Sequence, residues 1–339
     1  RPMMQLLGPK DELIDGAIQY LQIYFLGMPA LAVYNFGNAV LSAAGDTRRP
    51  LIIMIVAGIV NVILNLLFVI VCQLSVAGVA IASAASQYLS AALIVRLLMR
   101  TKDSYALHLN QMRITPIKAR SVLTLSLPAG MQNAIFAIAN LFIQAGVNSF
   151  PAVVVEGNSA AANADALVYD VMAAFYTACS SFMSQNFGAG NRKRVIRSYY
   201  ISLAYSFGIG AVLGGMLLLF GDKFLMLFTT DPEVVQMGMD RLWVMGFSYA
   251  FSAFMDCTIA ASRGIGKSAV PTAIVIMGSC VFRVIWVYTV FAYFHTIMSL
   301  YLLYIFSWSI TAIAEIIYFR YSYRQKIAEL PPEGAQTAA

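Results

Sequence analysis

The chain has 339 residues, of which 60% are hydrophobic and 11% are charged, with a net charge of +6 and a mean hydropathy of +0.74. Soluble domains carry about a quarter charged residues, so this composition excludes a large solvated surface and predicts an all-α polytopic membrane protein. At about 20 apolar residues per span, the length allows about nine or ten membrane helices.

Long windows without charged residues predict where the helices lie. No charge occurs in 16–45, 50–95 or 121–155, and the second window is long enough for two spans. Turn signals in and between these windows predict nine helices, in chain order at 17–44, 51–72, 75–99, 122–149, 159–187, 195–220, 234–262, 272–293 and 297–319.

Basic residues test this division independently, because they concentrate in cytoplasmic loops. Of the 22 Lys and Arg residues, 17 follow the first, third, fifth, seventh and ninth helices. The distribution predicts a multi-pass protein of the cell membrane, a bacterial inner or plasma membrane, with a cytoplasmic C-terminus. The positive charge is thereby explained by orientation, and we expect no nucleic-acid partner.

An internal repeat at an offset of 221 residues relates the first three helices to the last three. The matched positions include Glu12 with Glu233, Gly45 with Gly266, and Pro50 with Pro271. Corresponding helices are six positions apart in the helix order, an even number, so both copies have the same orientation, as in transporters built from parallel repeats. The fourth to sixth helices have no counterpart, which predicts three further helices before Arg1 and twelve in all, in two six-helix lobes.

This repeat predicts the domain organisation. We expect 1–100 to form the second half of an N-terminal lobe, with three helices, and 101–121 to be a cytoplasmic linker. The range 122–320 is then a complete C-terminal lobe of six helices, followed by a cytoplasmic tail at 321–339.

Several strings resemble the multidrug and toxic compound extrusion (MATE) family, and they occur in the family's order over 10–325. The resemblance implies a two-lobe bundle, here with nine of twelve helices. It also implies a secondary antiporter that exports organic, cationic drugs or metabolites through a cavity between the lobes, in exchange for Na⁺ or H⁺. The strings are Tyr20 to Phe25, Gly27 to Pro29, Ala44 to Pro50, Asn61 to Asn65, Gly78 to Ala82, Leu127 to Gln132, Ser184 to Asn191 and Arg263 to Ser268.

Three departures from the family pattern affect which residues can be compared. The family's first helix, where many members carry a coupling Asp, has no counterpart in this chain. Some members have an acid where this chain has Phe136, and Ser42 stands where we expect an Arg. The ion site near Phe136 therefore cannot be transferred from the family.

Asp256 is the first candidate for ion coupling, because a charge deep in the membrane is costly and marks function by default. It lies seven residues before Arg263, and its repeat partner is the neutral Asn35. The alternative is a static ion pair with Arg283. For Arg283 we expect Asp256, Asp170 or Glu315 as charge partner, and for Glu315 a side chain that reaches the cytoplasmic interface.

The fifth helix supplies two further candidates for ion coupling, Asp165 and Asp170. Asp165 shares a helix face with Tyr169, Met172 and Tyr176, a combination that suits an organic cation. The alternative for both acids is a carboxylate that reaches the aqueous interface.

Polar side chains on the fourth helix, together with Asn35, are candidates for lining a substrate cavity. Asn133, Asn140, Gln144 and Asn148 form one stripe, and amides in lipid must face protein or water. They either line the cavity or form hydrogen bonds between helices.

Other chemistries lack support. Two His residues and four scattered Cys residues do not have metal-site spacing, so we expect no metal and no cofactor beyond the coupling Na⁺ or H⁺. Gly264 to Ser268 lacks the first glycine of a phosphate-binding loop, which argues against ATP. We expect a monomer without enzymatic activity. A lipid-linked saccharide flippase of the same superfamily is the alternative, but it needs a basic cavity, and Arg283 is the only buried cation predicted.

Overall fold

A computed structural model describes the backbone of residues 11–330 and the side chains of residues 15–330. Within this range, nine helices are long and apolar enough to cross a membrane, and the described backbone contains no strand. We number them in chain order as α1 (Asp11–Ala43), α2 (Arg48–Val71), α3 (Ser75–Arg100), α4 (Pro116–Val147), α5 (Ala152–Gly188), α6 (Arg192–Leu225), α7 (Pro232–Gly264), α8 (Ala269–Phe294) and α9 (Ile297–Ala328).

The predicted all-helical membrane fold is confirmed, while several helix ends differ from the predicted ones. α4 begins at Pro116 rather than 122, because proline fits the first turn of a helix, where no amide donor is required. α9 continues to Ala328, beyond the predicted end at 319, because loss of hydrophobicity does not end a helix. Residues 1–10 of the predicted first domain and 331–339 of the predicted tail lie outside the described residues.

Contacts along the chain divide it into two compact units, with the boundary between Arg113 and Ile114. In the first unit, α3 packs against α1 and α2. Its core contains Tyr34, Leu41 and Ile94.

In the second unit, α7 is the central helix. It packs against α5, α6 and α9 and is buried along most of its length. At the α5 contact, a Cβ atom added to Gly157 would lie 2.7 Å from the backbone nitrogen of Gly238. Glycine is therefore required for the close approach of these helices, as at many membrane helix interfaces.

The structure repeats at the same offset of 221 residues as the sequence. α1 and α7 have matching ends, and α2 and α8 begin at matching residues, Arg48 and Ala269. π-helical segments occur near the ends of α2 and α8, at Leu67–Val71 and Val287–Phe291. The repeat detected in the sequence is thus also a repeat of backbone geometry.

The turns after α1 and α7 are also alike. Gly45 and Gly266 have φ angles of +89° and +80°, in the left-handed region that favours glycine. The Gly266 amide donates to the Arg263 carbonyl, and the Lys267 amide donates to the Ser262 carbonyl, the bond pattern of a Schellman helix end. The segment from Gly264 to Ser268 is therefore a tight helix-ending turn.

Candidate functional site

A cavity of about 370 Å³ lies inside the second unit, between α4, α5, α7, α8 and α9. It combines four charged side chains with aromatic rings and two methionines. The lining residues are Phe136, Asn140, Ala162, Asp165, Tyr169, Tyr176, Arg241, Met245, Met255, Asp256, Arg283, Tyr304 and Trp308.

Aromatic rings form one side of the cavity. On α9, Tyr304 and Trp308 are four residues apart and therefore share a helix face, with ring centroids 5.5 Å apart. Tyr169 of α5 meets Trp308 edge to face at 5.8 Å and Tyr249 of α7 at 5.7 Å. These contacts fix the rings of three helices around the cavity.

Arg241 and Asp165 form a buried ion pair across α7 and α5. The Arg241 Nε atom donates to Asp165 Oδ2 at 3.0 Å, and Nη1 donates to Asn158 Oδ1 at 2.6 Å. The Tyr249 hydroxyl donates to the other Asp165 oxygen. Both charges are thus neutralised and hydrogen bonded, as stable burial requires.

Arg283 is also buried, but it lies among neutral groups. Its Nη1 donates to Asn140 Oδ1 at 3.1 Å and its Nε to Ser307 Oγ at 3.3 Å. The guanidinium carbon lies 4.8 Å from the Tyr304 ring centroid and 5.2 Å from that of Phe136, which are cation–π distances. Among the described residues Arg283 forms no direct ion pair, and Asp256 acts on it only through longer-range electrostatics, so a carboxylate as its charge partner stays a prediction.

Asp256 is the acidic residue of the cavity whose charge is not neutralised by a direct contact. Within residues 15–330, no hydrogen bond or ion pair holds its carboxylate, although Arg283 and Arg263 act on it through longer-range electrostatics. In the same range, no three His, Cys, Asp or Glu side chains are grouped as for a metal ion. A cation at this site would therefore meet Asp256 together with neutral oxygens or aromatic rings.

The structure brings some of the predicted site residues together. The cavity contains Asp165, Asp256 and Arg283, and the fourth- and fifth-helix candidates Asn140, Tyr169 and Tyr176.

Other predicted site residues lie elsewhere. Asp170 and Asn133 are exposed on the surfaces of α5 and α4, and Asn35 is exposed on α1 in the first unit. Met172 is fully buried in the core of the second unit, and Gln144 donates to Asn148 one turn away at 2.8 Å. Functional roles for these five residues remain predictions.

Arg241 is the main cavity residue that the sequence reasoning missed, because it was counted among the charges near the outer end of α7. A helical pattern could have identified it. Arg241, Met245, Tyr249 and Asp256 lie on one stripe of α7, at spacings of four, four and seven residues. The Tyr304 and Trp308 pair on α9 was missed because aromatic residues at helical spacing are typical of any packed helix.

Glu315 also differs from its prediction. It does not extend to the interface, because it is fully buried on α9. The prediction assumed that five residues to Arg320 placed Glu315 at the membrane surface, whereas α9 continues as a helix beyond that arginine. Glu315 therefore belongs to the interior of the second unit.

Comparison with known proteins places these features in context. The sequence profile of the MatE family matches residues 1–67 and 128–289. A protein described as a probable multidrug resistance protein, YpnP of Bacillus subtilis (strain 168), is 30% identical over 249 residues, which cover 74% of this chain and 56% of YpnP. A protein described as an FAD transporter, from Shewanella oneidensis, is 28% identical over 242 residues, which cover 69% of this chain and 53% of the relative.

Solved structures show the same fold. A MOP superfamily transporter from Pyrococcus furiosus superposes with a TM-score of 0.88 at 20% identity, over 96% of this chain and 73% of the other. The chain spans about half the length of the two curated relatives described above.

Proposed function

The chain belongs to the MatE family. We propose that it functions as a secondary active antiporter, which exports organic, cationic drugs or metabolites in exchange for Na⁺ or H⁺. The transported compound is a small molecule, and the driving force is the ion gradient rather than ATP. The protein acts as a monomer in the cell membrane, with a cytoplasmic C-terminus and no enzymatic step.

One observation carries this proposal: Asp256 faces a cavity without a direct charge partner, while the neighbouring Asp165 is fully paired with Arg241. A carboxylate held away from water is costly unless it is neutralised. An entering proton or Na⁺, or the positive charge of a substrate, would each neutralise it. Asp256 is therefore a group for which the ion and the substrate compete.

The aromatic side of the cavity supports a cationic substrate. Tyr169, Tyr304 and Trp308 surround the space beside Asp256, and aromatic faces attract organic cations. Met245 and Met255 add flexible, polarizable contacts, which suit substrates of varied shape.

Competition at Asp256 would couple the two fluxes. A ligand shifts a conformational equilibrium only by its differential affinity for the two states. Protonation or Na⁺ binding removes the charge that holds the organic cation, so the substrate is released on the side where the ion enters. Exchange follows because Asp256 is neutralised by one species at a time.

The test is Asp256→Asn in the full-length protein, with efflux of a fluorescent organic cation from proteoliposomes under separate pH and Na⁺ gradients. We expect gradient-driven efflux to fall to the level of empty vesicles, because the amide cannot bind a proton or pair with a cation. The gradient that drives the unmodified protein identifies the coupling ion.

Asp231→Asn is the matched control. Asp231 lies at the start of the same helix, is exposed, and caps the Glu233 amide, a role that Asn also fills. This variant should transport normally. Retained gradient-driven efflux by Asp256→Asn would overturn the proposed role of Asp256.

A second candidate substrate class, organic anions, is favoured by Arg283, which has no ion-pair partner within the described range. One relative is described as an FAD transporter, and FAD is an anion. The alternative of a lipid-linked saccharide flippase draws on the same arginine. Arg241, the second cationic residue of the cavity, is neutralised by Asp165. The cavity therefore lacks the strongly basic character that binding of a pyrophosphate group requires.

Arg283→Gln separates these candidates. If the substrates are cations, this variant keeps most of its cation efflux, whereas loss of FAD efflux with no cation efflux in the unmodified protein would establish the anion alternative. Movement of a fluorescent lipid-linked saccharide between leaflets tests the flippase directly.

A further inference from the structure

Glu315 is a fully buried acid outside the cavity. It lies on α9, with no solvent-exposed area, and neither carboxylate oxygen has a hydrogen-bond partner among residues 15–330. An ionised carboxylate in such a place is very costly, and such groups take up a proton instead. The proposed function above does not use this group.

Helix geometry places Glu315 beside Arg263. α8 runs back between α7 and α9, so α7 and α9 run in the same direction, and they pack against each other. Glu315 follows the cavity residue Trp308 by seven residues, and Arg263 follows the cavity residue Asp256 by seven. Both therefore lie about 10 Å beyond the cavity, towards the same end of the two helices.

Arg263 is held by a neutral partner instead of Glu315. Its Nη2 donates to Gln132 Oε1 on α4 at 2.9 Å, while its Nε has no partner in the described part of the chain. Arg263 and Glu315 interact electrostatically without forming one of the ion pairs found among those residues. The arginine is thus close to an acid that it does not contact.

The charged groups around Glu315 come from α9 itself and from the three helices packed against it. On α9 itself, Tyr318 is its electrostatic neighbour, and of the charged residues on packed helices only Arg263 acts on Glu315 to a resolved extent. The charged residues of the helices that pack against α9 are Glu233, Asp240, Arg241, Asp256 and Arg263 on α7, Arg283 on α8, and Lys118 and Arg120 on α4.

The internal repeat shows that the fold does not require an acid here. At the offset of 221, Glu315 corresponds to Ile94, which is also fully buried, and Arg263 corresponds to Ser42. An apolar side chain fills the same position in the first unit. Glu315 is therefore a polar addition to a packing arrangement that an isoleucine satisfies.

We propose that Glu315 is a second proton-binding site, located between the cavity and the end of α7 and α9, and that Arg263 is its charge partner after deprotonation. In the conformation described, Glu315 holds the proton and Arg263 stays with Gln132. When the proton leaves, the Glu315 carboxylate attracts Arg263 away from Gln132 and so loosens the contact between α7 and α4.

If H⁺ is the coupling ion, Glu315 also takes part in the proton path of the antiport. This proton transfer rests on the function proposed above. Because Glu315 lies about 10 Å beyond the cavity, the proton of the Asp256 carboxyl group reaches the Glu315 carboxylate through intervening water molecules, leaving Asp256 charged and Glu315 neutral. Glu315 then releases the same proton at the helix ends beyond Arg263. One proton passes through both acids, and no other reactant is consumed.

Infrared difference spectroscopy of the purified full-length protein tests the site. The unmodified protein should show the carbonyl stretch of a buried protonated carboxyl group at neutral pH, and Glu315→Gln should lose it. Glu329→Gln is the control. Glu329 is exposed, lies just after the end of the same helix and pairs with Lys326. This substitution should leave the band unchanged.

Two further variants separate the possible outcomes. Glu315→Ile copies the first unit, should remain folded by thermal melting, and should also lack the band. Asp256→Asn should keep the Glu315 band whether or not it abolishes transport. The proton site can therefore be tested even if the transport proposal fails. Absence of the band in Asp256→Asn, its persistence after Glu315→Gln is added to that variant, or a carboxylate stretch of Glu315 that responds to Na⁺ instead, would overturn the proton site.

Discussion

At the scale of single residues, the four charges of the cavity differ in how they are compensated. Asp165 and Arg241 neutralise each other, whereas Arg283 rests on amide, hydroxyl and aromatic groups, and Asp256 has no direct partner. A paired charge stabilises one arrangement, whereas an unpaired carboxylate gains from binding a ligand. This difference supports the proposed exchange role of Asp256, and for Asp165 we propose a structural role instead.

Asp165→Asn should therefore destabilise the protein. Removing one member of a buried pair leaves an uncompensated charge, here on Arg241, at a cost of about 3–5 kcal/mol. The measurement is the midpoint of thermal unfolding in detergent, which should fall clearly. Asp170→Asn is the control on the same helix, because Asp170 is exposed and its substitution should leave the midpoint unchanged.

The double variant Asp165→Asn with Arg241→Gln supplies the decisive comparison. It removes both charges, so it should be more stable than Asp165→Asn alone. Together with Arg241→Gln alone, the two variants complete the cycle that measures the coupling of the pair. Equal midpoints for the single and double variants would show that Arg241 is not the group left uncompensated.

The sequence predicts individual site residues unevenly. Asp256 could be identified because an acid seven residues inside a helix end has few structural explanations. The stripe on α7 could mark Arg241 as a cavity residue, but its pairing with Asp165 could not be predicted, because the two residues are 76 positions apart and no local pattern links them. Contacts between distant helices are set by packing, which a single sequence does not show.

At the scale of helices, glycine determines how closely α5 and α7 approach. Gly157 and Gly238 face each other, and a Cβ atom at Gly157 would also lie 2.7 Å from the Val234 carbonyl oxygen. Backbone atoms cannot move aside as a flexible side chain can. The Arg241–Asp165 pair joins the same two helices and depends on this spacing.

Gly157→Ala should separate α5 from α7 and lower stability by about 1–3 kcal/mol, the usual cost of overpacking. Thermal unfolding in detergent measures the loss. Gly208→Ala provides the contrast, because no atom lies within 4 Å of a Cβ added there, so the substitution should be neutral or mildly stabilising. Similar losses in both variants would argue against a specific α5–α7 contact.

The positions of the helices can be predicted from the sequence, because uncharged windows and turn residues indicate where each helix begins and ends. The same patterns do not predict the π-helical segments at Ile276–Val281 and Val287–Phe291. A π turn changes the hydrogen-bond partner without changing hydropathy. Hydropathy also fails to predict the extension of α9 to Ala328, because its last turns are basic but still helical.

At the scale of the whole molecule, basic residues predict the orientation in the membrane. Because 17 of the 22 Lys and Arg residues lie near or beyond the C-terminal ends of odd-numbered helices, the C-terminus should lie in the cytoplasm. A fluorescent protein fused after Ala339 should fluoresce, and alkaline phosphatase fused there should be inactive. A fusion between Thr229 and Thr230, in the turn before α7, should show the opposite pattern.

The repeat predicted the shared framework of the two copies but not their difference in charge. At the offset of 221, five ionisable groups of the second copy discussed above have neutral counterparts in the first. Similar packing thus carries two different chemistries. The pairs are Arg241 with Tyr20, Asp256 with Asn35, Arg263 with Ser42, Arg283 with Val62 and Glu315 with Ile94.

The buried pair between α5 and α7 also has a consequence for biogenesis. Each charge carried into the bilayer centre during insertion costs at least about 2.5–3.5 kcal/mol, and α7 carries both Arg241 and Asp256. Synthesis proceeds from the N-terminus, so α5 emerges from the ribosome first and presents Asp165 and Asn158 before Arg241 arrives. We therefore expect α5 to supply the counter-charge of Arg241 when α7 is inserted.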